Sequence, residues 1–441
     1  MLGKEADTIA AIATPSGVGG VGIIRVSGSD AIELVAGLVG RSVDALEDRR
    51  LIHGEVRDGD ERLDEVLVVA MRGPHSFTGE DVAEIQGHGG PINMARLLRA
   101  VLERGARSAE AGEFTRRALQ NGRLDLVRAE ALVDVIEATS ERAWRLAQHQ
   151  LAGELGDDVR RLRDRATGWL AEVEAFIDFP EEGLGEVATA RIAGELAGAE
   201  SQLNQLIRSY ELGKALTEGI QVALIGPTNA GKSSLFNMLV GSERAVVDEE
   251  PGTTRDYVEE RLVIDGIPVC LIDTAGSRGE VGRAERKGID LGRRRVERAD
   301  VAIVMHPADG SDATEADLSG AQKRIDICSK SDLREAAGDR LGVSTVTGAG
   351  VEALRRRIVE AALTDAGSAE TRLVITSERQ RNLLVRAVEL FASAREGLAL
   401  KPLEVVAIDV RGATTVLAEV LGESVGEEVL DNLFARFCIG K

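Results

Sequence analysis

The sequence predicts a multidomain protein of mixed α/β and α+β class: an N-terminal α+β module, a helical domain in two segments, and a doubly wound, mostly parallel α/β domain inserted between those segments. Three observations carry this. Short extended runs and two helical ones fill residues 1–118, long runs with i, i+3, i+4 apolar spacing fill 119–218 and return over 369–441, and apolar strands alternate with helical stretches over 219–368. A length of 441 residues suits two to four domains at about 150 residues each. Insertion is tolerated where chain ends lie close together on a surface.

In the N-terminal module, Thr8–Ala13, Val21–Val26, Leu51–Val56, Val66–Met71 and Val82–Gln86 are expected as strands, and Ser29–Val39 and Ile92–Glu103 as helices. Two loops are rich in glycine, Pro15-Ser16-Gly17-Val18-Gly19-Gly20 and Gly87-His88-Gly89-Gly90-Pro91. Such loops serve either tight turns or close approach of the backbone to a ligand, and His88 alone is more often a hydrogen-bonded turn residue than a catalyst.

From Thr115 to about Tyr210 the pattern is helical, with runs such as Leu124–Ala138 and Leu162–Phe176, broken near Pro180 and Gly183. Arg160, Arg161, Arg163 and Arg165 form a basic cluster that reads as a solvated helix face rather than an RNA site. Helix returns at Ser377-Glu378-Arg379-Gln380, which has the form of a capping box, continues past Leu398, and resumes from Thr414 to the end. Leu430, Leu433, Phe434 and Phe437 follow helical spacing and are expected to anchor a last helix on the helical domain, leaving Cys438 to Lys441 free to reach a neighbouring site.

The inserted segment carries the chemistry. Gly226 to Ser234 reads GPTNAGKSS between the apolar runs Val222–Ile225 and Leu235–Leu239. The spacing G-x-x-x-x-G-K-S is a P-loop: backbone N–H groups and a helix N-terminus cradle phosphates, Lys232 neutralises the β and γ oxygens, and the Ser233 hydroxyl sits on Mg²⁺. Downstream come Gly252-Thr253-Thr254-Arg255, then Asp273-Thr274-Ala275-Gly276 after Val269–Ile272, and Ser329-Lys330-Ser331-Asp332 after Arg324–Cys328. In order and spacing these match the parts of a GTPase. The nucleotide-contacting set is expected to comprise Asn229, Ala230, Gly231, Lys232, Ser233, Ser234, Asp248, Glu249, Glu250, Pro251, Gly252, Thr253, Thr254, Asp273, Thr274, Ala275, Gly276, Ser329, Lys330, Asp332 and Ser344.

Composition removes other classes. No apolar run approaches the roughly 18 residues of a membrane span, and Met1 to Asp7 lacks a signal peptide's apolar core, so a cytoplasmic location is expected. Cys270, Cys328 and Cys438 are too far apart for a disulfide framework or a zinc site, and the first two are expected as packing residues at strand ends. A net charge of −20 argues against sequence-independent nucleic-acid binding, which needs clustered cations, while leaving room for RNA contact through a local patch.

End to end, the chain resembles the tRNA modification GTPases of the MnmE (TrmE) type. The resemblance rests on Thr8–Pro15 and Gly19–Arg25, on Phe77-Thr78-Gly79-Glu80-Asp81, on Gly87–Pro91, on Gly112-Glu113-Phe114-Thr115 and Asn121–Leu126, and on the ending Phe437-Cys438-Ile439-Gly440-Lys441. It implies an N-terminal domain that dimerises and binds a tetrahydrofolate derivative, 5-formyl or 5,10-methylene, through Arg25, Glu84 and Arg123, with Lys441 completing the site. It also implies a flavin-containing partner of the MnmG type, tRNA in the complex, and an aminomethyl-type group added to carbon 5 of the wobble uridine. Val18 stands where the family usually has arginine, Ala111 where it has proline, Arg123 where lysine is common, and Ser329 replaces the asparagine of the NKxD motif.

The residue that orients the attacking water in Ras-like switches is a glutamine after the DxxG glycine; here it is Ser277, too short for that work. Asn229, with backbone carbonyls around Asp248 and Glu250, could coordinate K⁺ beside the phosphates, Thr253 is counted with these metal-site residues, and Thr254 would close on Mg²⁺. The resemblance supports the K⁺ site and points to Glu285 as the carboxylate that orders the water. Lys232, Glu285 and Cys438 are thus the expected catalytic residues. Two function classes stay open, a wobble-modification enzyme and a regulatory GTPase switch for RNA or ribosome assembly. The glycine loops and the Cys-Ile-Gly-Lys tail favour the first, since a pure switch has no use for either.

Overall fold

A computed structural model describes residues 7–179, 185–227, 229–241, 258–273, 299–308, 323–334, 340–364 and 373–441. The chain forms two compact units, Met1–Val133 with Leu421–Lys441, and Asp134–Val420. Among the described residues no helix is long and apolar enough to cross a membrane.

The first unit is built on a six-stranded mixed sheet of β1 (Ile9–Ile12), β2 (Val21–Ser27), β3 (Ile52–Asp58), β4 (Glu61–Met71), β5 (Val82–His88) and β6 (Arg107–Ser108), in the order β3-β4-β5-β2-β1-β6. Strand alternation sends Ile24, Val26, Val66, Val68, Ala83 and Ile85 to one face. There Ile32, Val35 and Leu38 of α1 (Ala31–Leu38) and Met94, Leu97 and Val101 of α2 (Pro91–Leu102) complete the core. The other face packs Ile9 and Ala11 against Phe114 of α3 (Glu113–Gln120), and beside them stand Arg25 and Glu84. Strand β4 starts at Glu61 rather than at the expected Val66, because Glu61–Glu65 pair with Glu55–Asp58 across a tight turn. The charges that hide this hairpin in the sequence satisfy one another, as in the Arg57–Glu55 and Arg62–Glu65 pairs.

The second unit holds the helices α5 (Glu141–Ala152), α6 (Glu154–Asp178), α7 (Glu186–Arg208) and α8 (Tyr210–Thr217). It also holds α11 (Glu378–Leu400) and α12 (Leu403–Leu421, up to Val420), while α4 (Leu126–Glu137) precedes them in the chain. Leu162, Ile192, Leu196, Leu203 and Leu384 are fully buried, and Trp169 meets Phe391 edge-on at 6.0 Å. Ser377 caps α11 by accepting the Gln380 N–H, as the capping-box pattern predicts. Helix α12 begins at Leu403 and not at Thr414. Its buried side is rich in β-branched and small residues (Val406, Val410, Ala413, Val416), which blur the helical signal. Arg160, Arg161 and Arg163 pair with Asp157, Asp158 and Asp164, and Arg165 lies over Trp169.

Between α8 and α11 lies a second sheet of β7 (Ile220–Ile225), β8 (Val258–Ile264), β9 (Ile267–Asp273), β10 (Val301–Pro307), β11 (Lys323–Ser329) and β12 (Leu341–Val343). Its order is β12-β11-β10-β7-β9-β8, parallel throughout except for the β8–β9 hairpin. Helices α9 (Lys232–Val240) and α10 (Val351–Ala362) contribute Leu235, Leu239, Leu354 and Ile358 to its core. Cys328 is the penultimate residue of β11, but Cys270 sits mid-strand in β9, where burial raises its thiol pKa. The chain segments on either side of this sheet meet: the Ile375 N–H donates to Ser209 Oγ at 3.1 Å, and Gln150 Nε2 donates to the Val374 carbonyl at 2.7 Å. Helix α13 (Glu427–Phe434) and the residues after it belong to the first unit, not to the helical domain on which the apolar spacing was expected to anchor them.

Candidate nucleotide and C-terminal sites

In open α/β sheets, ligands bind outside the carboxyl ends of the strands, where the strand order reverses. Strand β7 is such a place, with β9 on one side and β10 on the other. The P-loop leaves its C-terminal end. Gly226 approaches β10 so closely that a Cβ would lie 2.9 Å from the Met305 carbonyl oxygen. Asn229 takes a left-handed backbone with φ 67°, Gly231 caps α9, and Ala230 is buried. Lys232 is 9% exposed and its Nζ donates to the carbonyls of Gly226 at 2.7 Å and Pro227 at 2.8 Å. Those bonds hold the ammonium inside the loop, where it can meet an anion. Ser233, Ser234 and Asn229 face outward from the start of α9.

Other residues expected at the nucleotide lie at or just beyond strand ends. Asp273 closes β9 and Ser329 closes β11. Lys330 follows with φ 59°, and the Ser344 hydroxyl, fully buried after β12, donates to Asp332 Oδ1 at 2.6 Å. Asp332 is thereby fixed as an acceptor. Ser329 Oγ is buried and makes no hydrogen bond among the described residues. The structure therefore brings Asn229–Ser234, Asp273, Ser329, Lys330, Asp332 and Ser344 to one edge of one sheet. Asp248, Glu249, Glu250, Pro251, Gly252, Thr253, Thr254, Thr274, Ala275, Gly276 and Glu285 lie outside the described residues.

A second set gathers in the first unit. Arg25 and Glu84 are direct cross-strand neighbours on β2 and β5 and form an ion pair at 3.0 Å. The Arg25 guanidinium lies 5.7 Å from the Phe77 ring centre and 5.9 Å from that of Phe114. Arg123 donates from Nε to the Ser76 carbonyl, so both arginines lie against the Ser76–Gly79 loop. Arg25 Nη1 donates to the Gly440 carbonyl at 3.4 Å, which places Lys441 next to this group. Cys438 is exposed but its backbone is not free: its carbonyl accepts the Gly112 N–H at 3.5 Å, and Ile439 bridges Ala111. The expectation of a loose tail is thus corrected, because Phe437 and Gly440 on either side of the Cys438-Ile439 pair are both buried.

One constellation was not anticipated. Asp64, 8% exposed, accepts from the His88 N–H at 2.8 Å, from His88 Nδ1 at 2.7 Å and from Asn93 Nδ2 at 2.7 Å. This raises the His88 pKa, the hydrogen bond to Asp64 being the main cause. The signal in the sequence was a carboxylate at the core parity of β4, in step with Val66 and Val68.

The P-loop and its buried lysine beyond β7, with Asp332 held by Ser344 beyond β11 and β12, define a P-loop nucleotide-binding protein with an α/β nucleotide domain. Family models extend this to the whole chain. One described as "GTP-binding protein TrmE N-terminus" matches residues 8–123, and one described as "MnmE helical domain" matches residues 126–438. Curated relatives named "tRNA modification GTPase MnmE" include that of Geotalea uraniireducens, 40% identical over 99% of both chains, and that of Moorella thermoacetica, 41% identical over 99% of both. Among solved structures, the G domain of the T. maritima FeoB iron transporter shares 27% identity over 32% of this chain and 98% of that one, at TM-score 0.26. The chain belongs to the tRNA modification GTPase MnmE family. It is a GTPase that acts in tRNA modification.

Proposed function

We propose that this GTPase is stimulated by K⁺ and works with a flavin-containing partner to add a carboxymethylaminomethyl or aminomethyl group to carbon 5 of the wobble uridine of certain tRNAs, drawing on a folate one-carbon unit. The observation that carries this beyond GTP hydrolysis is the docking of the Cys-Ile-Gly-Lys tail beside Arg25 and Glu84, since a plain switch needs no such assembly.

For the nucleotide, Lys232 would move its ammonium from the loop carbonyls onto the β and γ oxygens, and Ser233 would hold Mg²⁺ with Thr254. Asp332, fixed by Ser344, accepts from guanine N1 and N2, and the buried Ser329 hydroxyl, without a partner among the described residues, offers one hydrogen bond fewer than the family's asparagine would. Asn229, exposed beside the phosphate position, suits K⁺ together with Asp248, Glu250 and Thr253. Glu285 would order the attacking water.

In the first unit the donor set fits an aromatic, anionic ligand. Phe77 and Phe114 supply apolar surface, Glu84 an acceptor for ring N–H groups, and Arg25, Arg123 and Lys441 supply cations for a carboxylate tail. A reduced folate bound there would supply the one-carbon unit. Arg25 and Glu84 would orient it, and Cys438 would stand at its rim. The first unit is also the proposed dimerisation surface.

The test has two arms. GTP turnover should be several-fold higher in K⁺ than in Na⁺, and Glu285→Ala should lower it by roughly 10²-fold with GTP affinity nearly unchanged. Wobble uridine in total tRNA from a deletion strain should be unmodified and restored by this chain. Restored growth without restored modification would favour the regulatory switch.

A further inference from the structure

We propose that Gly440 is a positioning residue for Cys438: the C-terminal strap is docked on its own N-terminal unit and presents the thiol from a fixed backbone, rather than carrying it in on a mobile arm. This rests on the reading of Cys438 as a residue of the modification reaction.

Five contacts define the strap. Phe434, the last residue of α13, and Phe437 beyond it are 2% and 6% exposed, and their rings lie 5.2 Å apart. They seat on Gly112, where a Cβ would come within 3.0 Å of the Phe434 carbonyl and of Phe437 Cβ. Next, the Cys438 carbonyl accepts the Gly112 N–H, and Ile439 forms an antiparallel bridge with Ala111. Gly440 then turns with φ 97° and lies so close to β1 that a Cβ would overlap the Ile12 carbonyl oxygen. Its own carbonyl accepts from Arg25 Nη1, whose Nε is already bonded to Glu84.

The burial pattern gives the strap its purpose. Phe437 and Gly440 are buried, while Cys438 and Ile439 between them are exposed. A side chain on a backbone pinned at both ends has only its own rotamers to explore, so the thiol sweeps only a small volume. Any residue with a Cβ at position 440 meets both the left-handed backbone, which L side chains rarely adopt, and the Ile12 carbonyl. Neither conflict can be relieved by a rotamer change. The strap must leave its seat, and Arg25 then loses one of its acceptors.

Hydrogen exchange on the purified full-length chain tests docking, and wobble-uridine analysis in a complemented deletion strain tests positioning. Gly440→Ala should speed exchange at the Gly112 amide and at residues 439–441 by about tenfold or more. It should lower modification to the level of Cys438→Ser, with GTP turnover within about twofold of wild type. Ile439→Ala, which keeps the backbone bridge, should change neither. Unchanged exchange in Gly440→Ala would overturn the docking role, and faster exchange with full modification would overturn the positioning role. Full modification by Cys438→Ser would instead remove the reading of the cysteine, and with it the positioning role, whatever the exchange shows.

Discussion

Asp64 is the residue whose environment the sequence conceals most completely. It stands among valines on the core side of β4, yet it accepts hydrogen bonds from the last residue of β5 and from a helix, both more than twenty residues further on. Its partner His88 has a raised pKa, so the protonated ring is worth more to the folded state than to the unfolded one. The stabilisation is fully present below the unfolded value of 6.5 and is lost as pH rises through the higher folded value. The difference in melting temperature between wild type and His88→Gln should therefore be largest near pH 5 to 6 and shrink toward pH 9; a difference that grows with pH would refute the pairing. Ser329 offers a second residue-scale test. Losing one hydrogen bond relative to asparagine weakens binding by about 1 kcal/mol without changing the base. Ser329→Asn should thus tighten GTP binding several-fold while ATP competes poorly in both proteins, and comparable ATP and GTP affinities would show that Asp332 does not read the base.

At the scale of elements, the P-loop was legible because its residues are consecutive and its chemistry is local. The Arg25–Glu84 pair was reached only through family resemblance, since it depends on β2 and β5 pairing in one register across 59 residues. Equally invisible was Ser140. It caps α5 by accepting the Ala143 N–H at 3.1 Å, and its hydroxyl donates to the Gly266 carbonyl at 2.7 Å. Gly266 is in the β8–β9 turn, where Asp265 and Gly266 both have positive φ. That hairpin begins just after Gly252-Thr253-Thr254 and ends at Asp273, so it connects two segments expected to respond to the γ-phosphate. Ser140→Asp keeps the cap but cannot donate to Gly266. GTP affinity should stay within about twofold, whereas the change in α5 hydrogen exchange between GDP and a non-hydrolysable GTP analogue should shrink. An undiminished change would exclude this route. Ser140→Ala should in addition cost about 1 kcal/mol from loss of the cap.

For the whole molecule, the inserted arrangement was readable because two helical runs flank one strand-and-helix alternation. What the sequence could not show is how nearly the two runs meet. Ser209 and Ile375 are hydrogen-bonded, and a Cβ on Gly213 would overlap the Ile375 carbonyl oxygen. Replacing residues 219–372 with a short glycine-serine linker should leave the helical bundle folded once Leu212 and Leu216, which face the nucleotide-domain core, are made polar. Far-ultraviolet circular dichroism and the fluorescence of Trp169 would follow it, and loss of cooperative unfolding would refute the bundle's independence.

The same clasp limits how the nucleotide domain can move. A body hung on one strand of chain can spin about that strand at little cost. A body hung on two strands bonded side by side cannot, because spinning would tear the Ile375 N–H from Ser209 and drive the Ile375 carbonyl into α8. Rocking, by contrast, leaves the clasp intact, as a door moves on a hinge with two leaves. Work done at the γ-phosphate would then reach the helices as a tilt in one direction, with the hydroxyl of Ser209 as its pivot pin.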